Sequence, residues 1–317
     1  MAHEDLFPIP KVRSFEQVHR KAISVVSEKG KRRIAVIAPS ANDSLEGIAK
    51  ATEMGLIDPH LIGDRSTTRK CAHLAGLDSS ETEFIDVAGA EEAIRVAVKM
   101  AVDGQVDILV KGQVTAINLL KHMLDRSESF VCSSRTLSHV AVMKPERYGK
   151  LLFLSDAAVN AQPDFKTKLA LISNAVGLAN VIGVDQPGVA VLAAAEIIDP
   201  RMPVTIDAAI IAKMSDRGQI EGTRVDGPLS FDVAVDMAAA HAKGITDSHV
   251  AGQADIVLAP NIETANGVYR AMNLYGRAEM GGIVVGGAVP VVISSRSDSV
   301  QTRFNSLIVG IMATLAQ

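Results

Sequence analysis

Short runs of Val and Ile recur along the chain, separated by longer segments in which apolar residues return at helical spacing. A continuous apolar run offers no face to water, so both of its faces must be covered. Parallel strands connected by crossover helices meet that demand. The fold class expected is therefore α/β with mostly parallel sheets. Strands are expected at Ile34–Ala38, His60–Gly63, Val106–Val110, Val140–Met143, Leu151–Leu154, Val189–Leu192, Ile256–Ala259, Ile283–Val285 and Val291–Ile293. Between them, Ala90–Asp103 carries Ile94, Ala97, Val98 and Ala101 on one side and Glu92, Arg95 and Lys99 on the other, which marks an amphipathic crossover helix. Asp43–Met54 also has helical character. Ahead of the first strand, Ser14-Phe-Glu-Gln17 has capping-box spacing and opens a helix ending at Gly30. An apolar helix is expected over Val300–Leu315.

A chain of 317 residues exceeds the usual single domain, so two are expected. The polar run Asp125–Ser129 places a break near Ser127–Ser134. Charge and composition narrow the partners. A net charge of -4 gives no basic field for nucleic acid, and 3% aromatic residues with no Trp give no stacking surface for single strands. The longest apolar stretch, Gly281–Ile293, is interrupted by glycines and shorter than the ~20 residues needed to span a bilayer. The first residues carry acids and prolines where a secretory signal carries an apolar stretch. With Cys71 and Cys132 as its two cysteines and no CxxC, the chain suits a reducing compartment. A cytoplasmic protein with small-molecule partners, no nucleic acid and no membrane is expected.

Four segments, at expected strand ends or at the expected domain break, carry polar side chains. In Val291–Ser299 a buried strand runs into Ser295, Arg296 and Asp298 just before a helix, an arrangement that presents free N–H groups to an anion and adds a guanidinium fork. The other reading of this segment is that Asp298 caps the helix with Gln301 completing a capping box. Cys132–Thr136 places Ser and Arg135 at the expected domain break. Asp156-Ala-Ala-Val-Asn160 follows the strand ending at Leu154, and Lys111-Gly112-Gln113 follows the strand ending at Val110. Asp232 and Asp236, four apart, could share a helical face, yet no third ligand pattern accompanies them, so no metal site is expected. No GxGxxG follows the first strand and no GxxxxGK[ST] occurs, which removes the usual support for dinucleotide or nucleoside triphosphate binding.

Several blocks, in order along nearly the whole chain, resemble phosphate butyryltransferases and phosphate acetyltransferases: Ala35–Gly63 with its Asp58–Gly63, Asp156–Asn160, Arg201–Ile210, Val225–Asp232, Val250–Asp255, Pro260–Asn266 and Ser295-Arg296. Arg135 followed by Ser138-His139-Val140 and the short Val225-Asp-Gly-Pro-Leu form are similar to the butyryl branch. The resemblance implies a two-domain α/β/α architecture with an active-site cleft between domains, shared more distantly with isocitrate and isopropylmalate dehydrogenases. On that pattern residues 1–132 with 294–317 form one domain and 133–293 the other.

It also implies the reaction acyl-CoA plus phosphate giving acyl phosphate plus CoA, with a short acyl group, CoA as substrate, no resident cofactor, and a homo-oligomer of at least two chains. Ser295, Arg296 and Asp298 become candidate catalytic residues; Arg135, Ser138, Lys111, Gly112, Asp156 and Asn160 become candidates for holding phosphate or CoA. Acetyltransferases carry an aspartate six residues after the Ser-Arg arginine, where this chain has Thr302. A metal-dependent decarboxylating dehydrogenase of the same fold, or a non-catalytic CoA-binding homologue, are the competing expectations.

Overall fold

The computed structural model describes residues 12–39, 45–78, 80–295 and 297–316. The chain divides into two compact units: the first comprises residues 18–137 and 280–317, the second residues 1–17 and 138–279. It passes from one to the other after Gln17, after Leu137 and again after Glu279.

The first unit begins with helix α1 (Phe15–Lys29, from Val18 onward), then strand β1 (Arg32–Ile37), α2 (Glu46–Glu53), β2 (Ile57–Gly63), α3 (Arg65–Leu74), β3 (Glu83–Asp86), α4 (Gly89–Val102), β4 (Ile108–Lys111) and α5 (Ala116–Leu124). The second unit follows as β5 (Ser138–Lys144), β6 (Leu152–Ser155), α6 (Phe165–Ile182), β7 (Gly188–Leu192), α7 (Pro203–Asp216), β8 (Arg224–Leu229), α8 (Phe231–Val235), α9 (Met237–Ala242), β9 (Ile256–Leu258) and α10 (Ile262–Leu274). The chain then completes the first unit with β10 (Glu279–Val285), β11 (Val291–Val292) and α11 (Val300–Ala313).

Each unit is an α/β layer structure. In the first, the strands run in the order β3-β2-β1-β4-β11-β10, parallel throughout except for β10, which is antiparallel to β11. In the second the order is β5-β6-β9-β7-β8, with β5 antiparallel to β6 and the others parallel. The apolar runs form the buried strands. Ile34, Ala35, Val36 and Ile37 of β1 are at most 2% exposed, and each Ile or Val so buried contributes about 2 kcal/mol. On α4 the buried residues are Ala93, Ile94, Ala97, Val98 and Ala101, while Arg95 and Lys99 pair with Glu92 and Asp103 on the solvent side.

The start of α1 forms one half of its expected capping box, while the Gln17 side chain reaches one residue further back. Ser14 Oγ accepts from the Gln17 N–H at 3.4 Å, and Gln17 Oε1 accepts from the Arg13 N–H. Gly30 ends the helix at φ 84°, its N–H donating to Val26 O. The helix expected from Asp43 is described from Glu46; residues 43 and 44 lie outside the described residues. α11 packs Phe304 against Gly47 of α2, with Lys50 Nζ 4.2 Å from the ring centroid and the His19 ring edge-on. Its polar face is equally committed. Buried Asn305 accepts from His19 Nε2 and Gln301 Nε2 and donates to Met280 O. Among the described residues no helix is long and apolar enough to cross a membrane.

Candidate active site

In the first unit β1 lies between β2 and β4, so the strand order reverses between β1 and β4. Open parallel sheets form a crevice at such a reversal, outside the C-terminal ends of the strands. A cavity of 290 Å³ occupies that position, lined by Val36 of β1, Lys111 and Gly112 at the end of β4, Val292 of β11, Ser295, and Arg303 of α11.

Two loops shape it. After β4, Gly112 passes so close to the end of β1 that its N–H donates to Ile37 O at 3.0 Å and a Cβ at this position would sit 2.7 Å from Ala38 O. Only glycine fits. Lys111 Nζ donates to Gly112 O at 2.9 Å and Val114 O at 3.2 Å, so its ammonium braces the same loop. After β11, the Ser295 N–H donates to Asp298 Oδ2 at 2.7 Å and the Asp298 N–H donates back to Ser295 O at 3.1 Å, which closes a turn beside the cavity. Ser295 Oγ lies 3.1 Å from Ser297 Oγ. Arg296 lies outside the described residues.

The cap of α11 is one residue later than the capping reading of Asp298 anticipated. Ser299 Oγ accepts from the Thr302 N–H at 3.0 Å, and Gln301 turns instead to Asn305. Thr302, where acetyltransferases carry aspartate, is buried with its hydroxyl 3.0 Å from Ser299 Oγ. Arg303, not singled out in the sequence, lines the cavity and donates from Nη2 to Ser295 O at 3.4 Å. Its only sequence signal was a single charged residue one turn into α11.

The remaining candidates stand elsewhere. Arg135 is exposed in the first unit, its backbone N–H donating to Cys132 O. In the second unit Ser138 is fully buried and its Oγ accepts from Asn174 Nδ2 at 2.8 Å. Asp156 is 2% exposed. Its carboxylate accepts from the N–H groups of Ala158, Val159 and Asn160 and from the Asn160 side-chain amide at 2.6 Å, so the chain's own donors fill it. This pair builds the loop after β6.

Asp232 and Asp236 do not share a helical face. α8 ends at Val235, and Asp236 caps α9 by accepting from the Ala238 N–H. Asp232 sits with Ser230, and the hydrogen bond from Ser230 holds its carboxyl below the usual carboxylate range. Lys243 Nζ reaches Ser230 Oγ at 2.8 Å, but its hydrogen bond to Glu196 pushes the ammonium up, so the lysine holds its proton and cannot activate that serine as a base would. Cys71 is buried and Cys132 exposed, both as free thiols.

Residues 90–311 match a family model described as phosphate acetyl/butaryl transferase. The chain is 39% identical over 296 residues to the phosphate butyryltransferase of Clostridium acetobutylicum, covering 93% of this chain and 96% of that protein. It is 38% identical over 274 residues to the phosphate acetyltransferase of Rhizobium meliloti, covering 86% of each. A branched-chain phosphotransacylase from Enterococcus faecalis superposes with a TM-score of 0.77 at 29% identity, covering 89% of this chain and 99% of that one. Matches of this extent, over the segment that contains β4, β11 and the start of α11, place the chain in the phosphate acetyl/butyryl transferase family.

Proposed function

We propose that this chain moves a short acyl group, acetyl, propionyl or butyryl, between CoA and inorganic phosphate, with the phosphoryl group held in the first unit beyond the ends of β4 and β11. The observation that carries this reading is the cavity where the strand order reverses, lined by Lys111, Ser295 and Arg303. An oxygen of hydrogen phosphate attacks the thioester carbonyl carbon, the C–O bond forms, the C–S bond breaks, and the sulfur leaves with its electron pair and takes the proton that the phosphate gives up. Positioning accounts for much of the acceleration in such a transfer. Ser295 supplies a hydroxyl donor, Arg296 a bidentate fork for phosphate, and Arg135 a second fork. In the reverse direction the CoA thiol must lose its proton, and Asp298 is the proposed base, although one carboxylate oxygen already accepts from Ser295. Ser138, Asp156, Asn160, Lys111 and Gly112 remain proposed contributors to phosphate or CoA binding, Gly112 and Asp156 through the loops they form.

CoA enters as a substrate, and the reaction runs with no resident cofactor and no metal. The protein works in the cytoplasm as a homo-oligomer of at least two chains; exposed Ile197, Ile198, Ile210 and Tyr275 of the second unit support an interface there. Thiol release from acetyl-, propionyl- and butyryl-CoA, with and without phosphate, tests the activity. Phosphate-dependent release that survives EDTA is expected; no release with any of the three would defeat the proposal. A strictly monomeric mass in light scattering at micromolar concentration would count against the oligomer.

A further inference from the structure

We propose that Arg303 is a phosphoryl-binding residue of this site, an anion clamp on α11 beside Ser295; this rests on the function proposed above. Arg303 Nε is sealed from solvent and finds no acceptor. Among the described residues the guanidinium makes a single hydrogen bond, the 3.4 Å contact to Ser295 O, and no ion pair. An Nε–H in that condition is costly, since it has been taken from water without finding an acceptor. The cavity that it lines brings a second cation, Lys111, to the same space. Two cations lining one void favour an anionic occupant over a neutral or cationic one.

The other donors at the cavity wall point to the same ligand chemistry. Ser295 presents a hydroxyl, whereas the Gly112 and Gln113 N–H groups are already consumed by Ile37 O and Ala38 O. Side-chain donors remain available for the recognition. A guanidinium Nε and Nη pair matches two oxygens of a tetrahedral phosphoryl group. The chemistry is that of a phosphate dianion. Its source is inorganic phosphate, with the phosphoryl group of acyl phosphate in the reverse direction, or one of the phosphates of CoA.

Arg303→Gln and Arg303→Lys, compared with the wild type, test this in two measurements. Thermal stabilisation by inorganic phosphate and by CoA requires no turnover, so it stands even if no acyl transfer is found. Steady-state kinetics then vary phosphate at saturating acyl-CoA, and acyl-CoA at saturating phosphate. We expect Arg303→Gln to lose the phosphate-induced stabilisation and to raise the KM for phosphate roughly tenfold to a hundredfold, with the KM for acyl-CoA unchanged. Arg303→Lys should keep part of the effect, and it carries the test should the glutamine variant fold poorly. A selective rise in the KM for acyl-CoA, with loss of stabilisation by CoA, would support the anion site and name CoA as its source. Undiminished stabilisation by both ligands and unchanged KM values, even with a lower kcat or melting temperature, would overturn the proposal and leave Arg303 as a brace on Ser295 O.

Discussion

Lys168 Nζ donates to Asp207 Oδ2 at 2.7 Å, joining α6 to α7 with the lysine only 6% exposed. Asp207 belongs to the Arg201–Ile210 block by which the chain resembles its family, so part of that signature holds the second unit together. Removing one partner strands a buried charge. Asp207→Asn is expected to cost about 3 kcal/mol, the low end for a broken buried pair because Asp207 keeps some contact with water. A lowered denaturation midpoint checks this. Lys168→Met combined with Asp207→Leu should recover much of the loss, since neither charge is then left unpaired.

Gly112 and Gly267 make a contrasting pair. A Cβ on Gly112 meets the carbonyls of Ile37 and Ala38, whereas one on Gly267, in the middle of α10, meets nothing within 4 Å. Gly112→Ala should destabilise the first unit by about 3 kcal/mol or more, because backbone cannot move aside as a side chain can. Gly267→Ala should stabilise by about 0.5 to 1 kcal/mol through helix propensity. Melting curves of the two variants should therefore shift in opposite directions.

His122 lies between Glu128, 2.8 Å from Nδ1, and Glu91, 3.0 Å from Nε2. The hydrogen bond to Glu128 and the neighbouring Glu91 raise its pKa above the ordinary 6.5, against a smaller opposing effect of burial. A raised folded-state value means that the stabilisation is fully present below the unfolded value of about 6.5 and fades as pH climbs through the folded one. The wild type should thus lose stability between about pH 6.5 and the folded pKa relative to His122→Gln, in which that dependence is absent. Melting temperatures of both proteins across this range measure it.

Acyl transfer by direct attack needs no enzyme thiol. The variant carrying both Cys71→Ala and Cys132→Ala should keep most of its activity, with a modest stability loss from the buried Cys71. Loss of turnover in a folded double variant would instead point to a cysteine nucleophile. Arg296→Lys keeps the charge but loses the planar fork, and should lower catalytic efficiency toward phosphate roughly tenfold to a hundredfold, with Arg296→Ala lower still. Kinetics with varied phosphate at saturating acyl-CoA decide the point; an unchanged efficiency in Arg296→Ala removes that residue from the site.

The buried strands and crossover helices were legible because burial on both faces leaves an uninterrupted apolar run. β3 and β8 were not, and both are edge strands. β3 (Glu83–Asp86) is bounded by acids and β8 contains Gly227-Pro228, which reads as a turn. An edge strand has one unpaired side, so proline's missing N–H is tolerated there. Ser295 and Lys111 could be picked out as polar residues after strands, but that they line one cavity depends on β11 pairing with β4, a contact that no local pattern encodes. Arg303 was harder still. One arginine on a helix ordinarily reads as solvated, and only its position over that cavity separates it from a surface charge. Asp156 shows the converse, a polar residue after a strand whose partners turn out to be its own loop.

Because β11 is paired with β4 and α11 is packed on α2, the first unit is written at both ends of the message, while nearly all of the second is written in one piece between them. A ribosome therefore delivers a second unit able to close while β4 still has one bare side. At ~5–20 residues per second that side waits on the order of ten seconds or more for its neighbour to emerge. An apolar, unpaired strand edge left open for so long is a template for wrong partners. Yield in the cell should thus depend on what shelters Ile108–Lys111 during translation, and a nascent chain cut short before Glu279 would never acquire the strand that covers it.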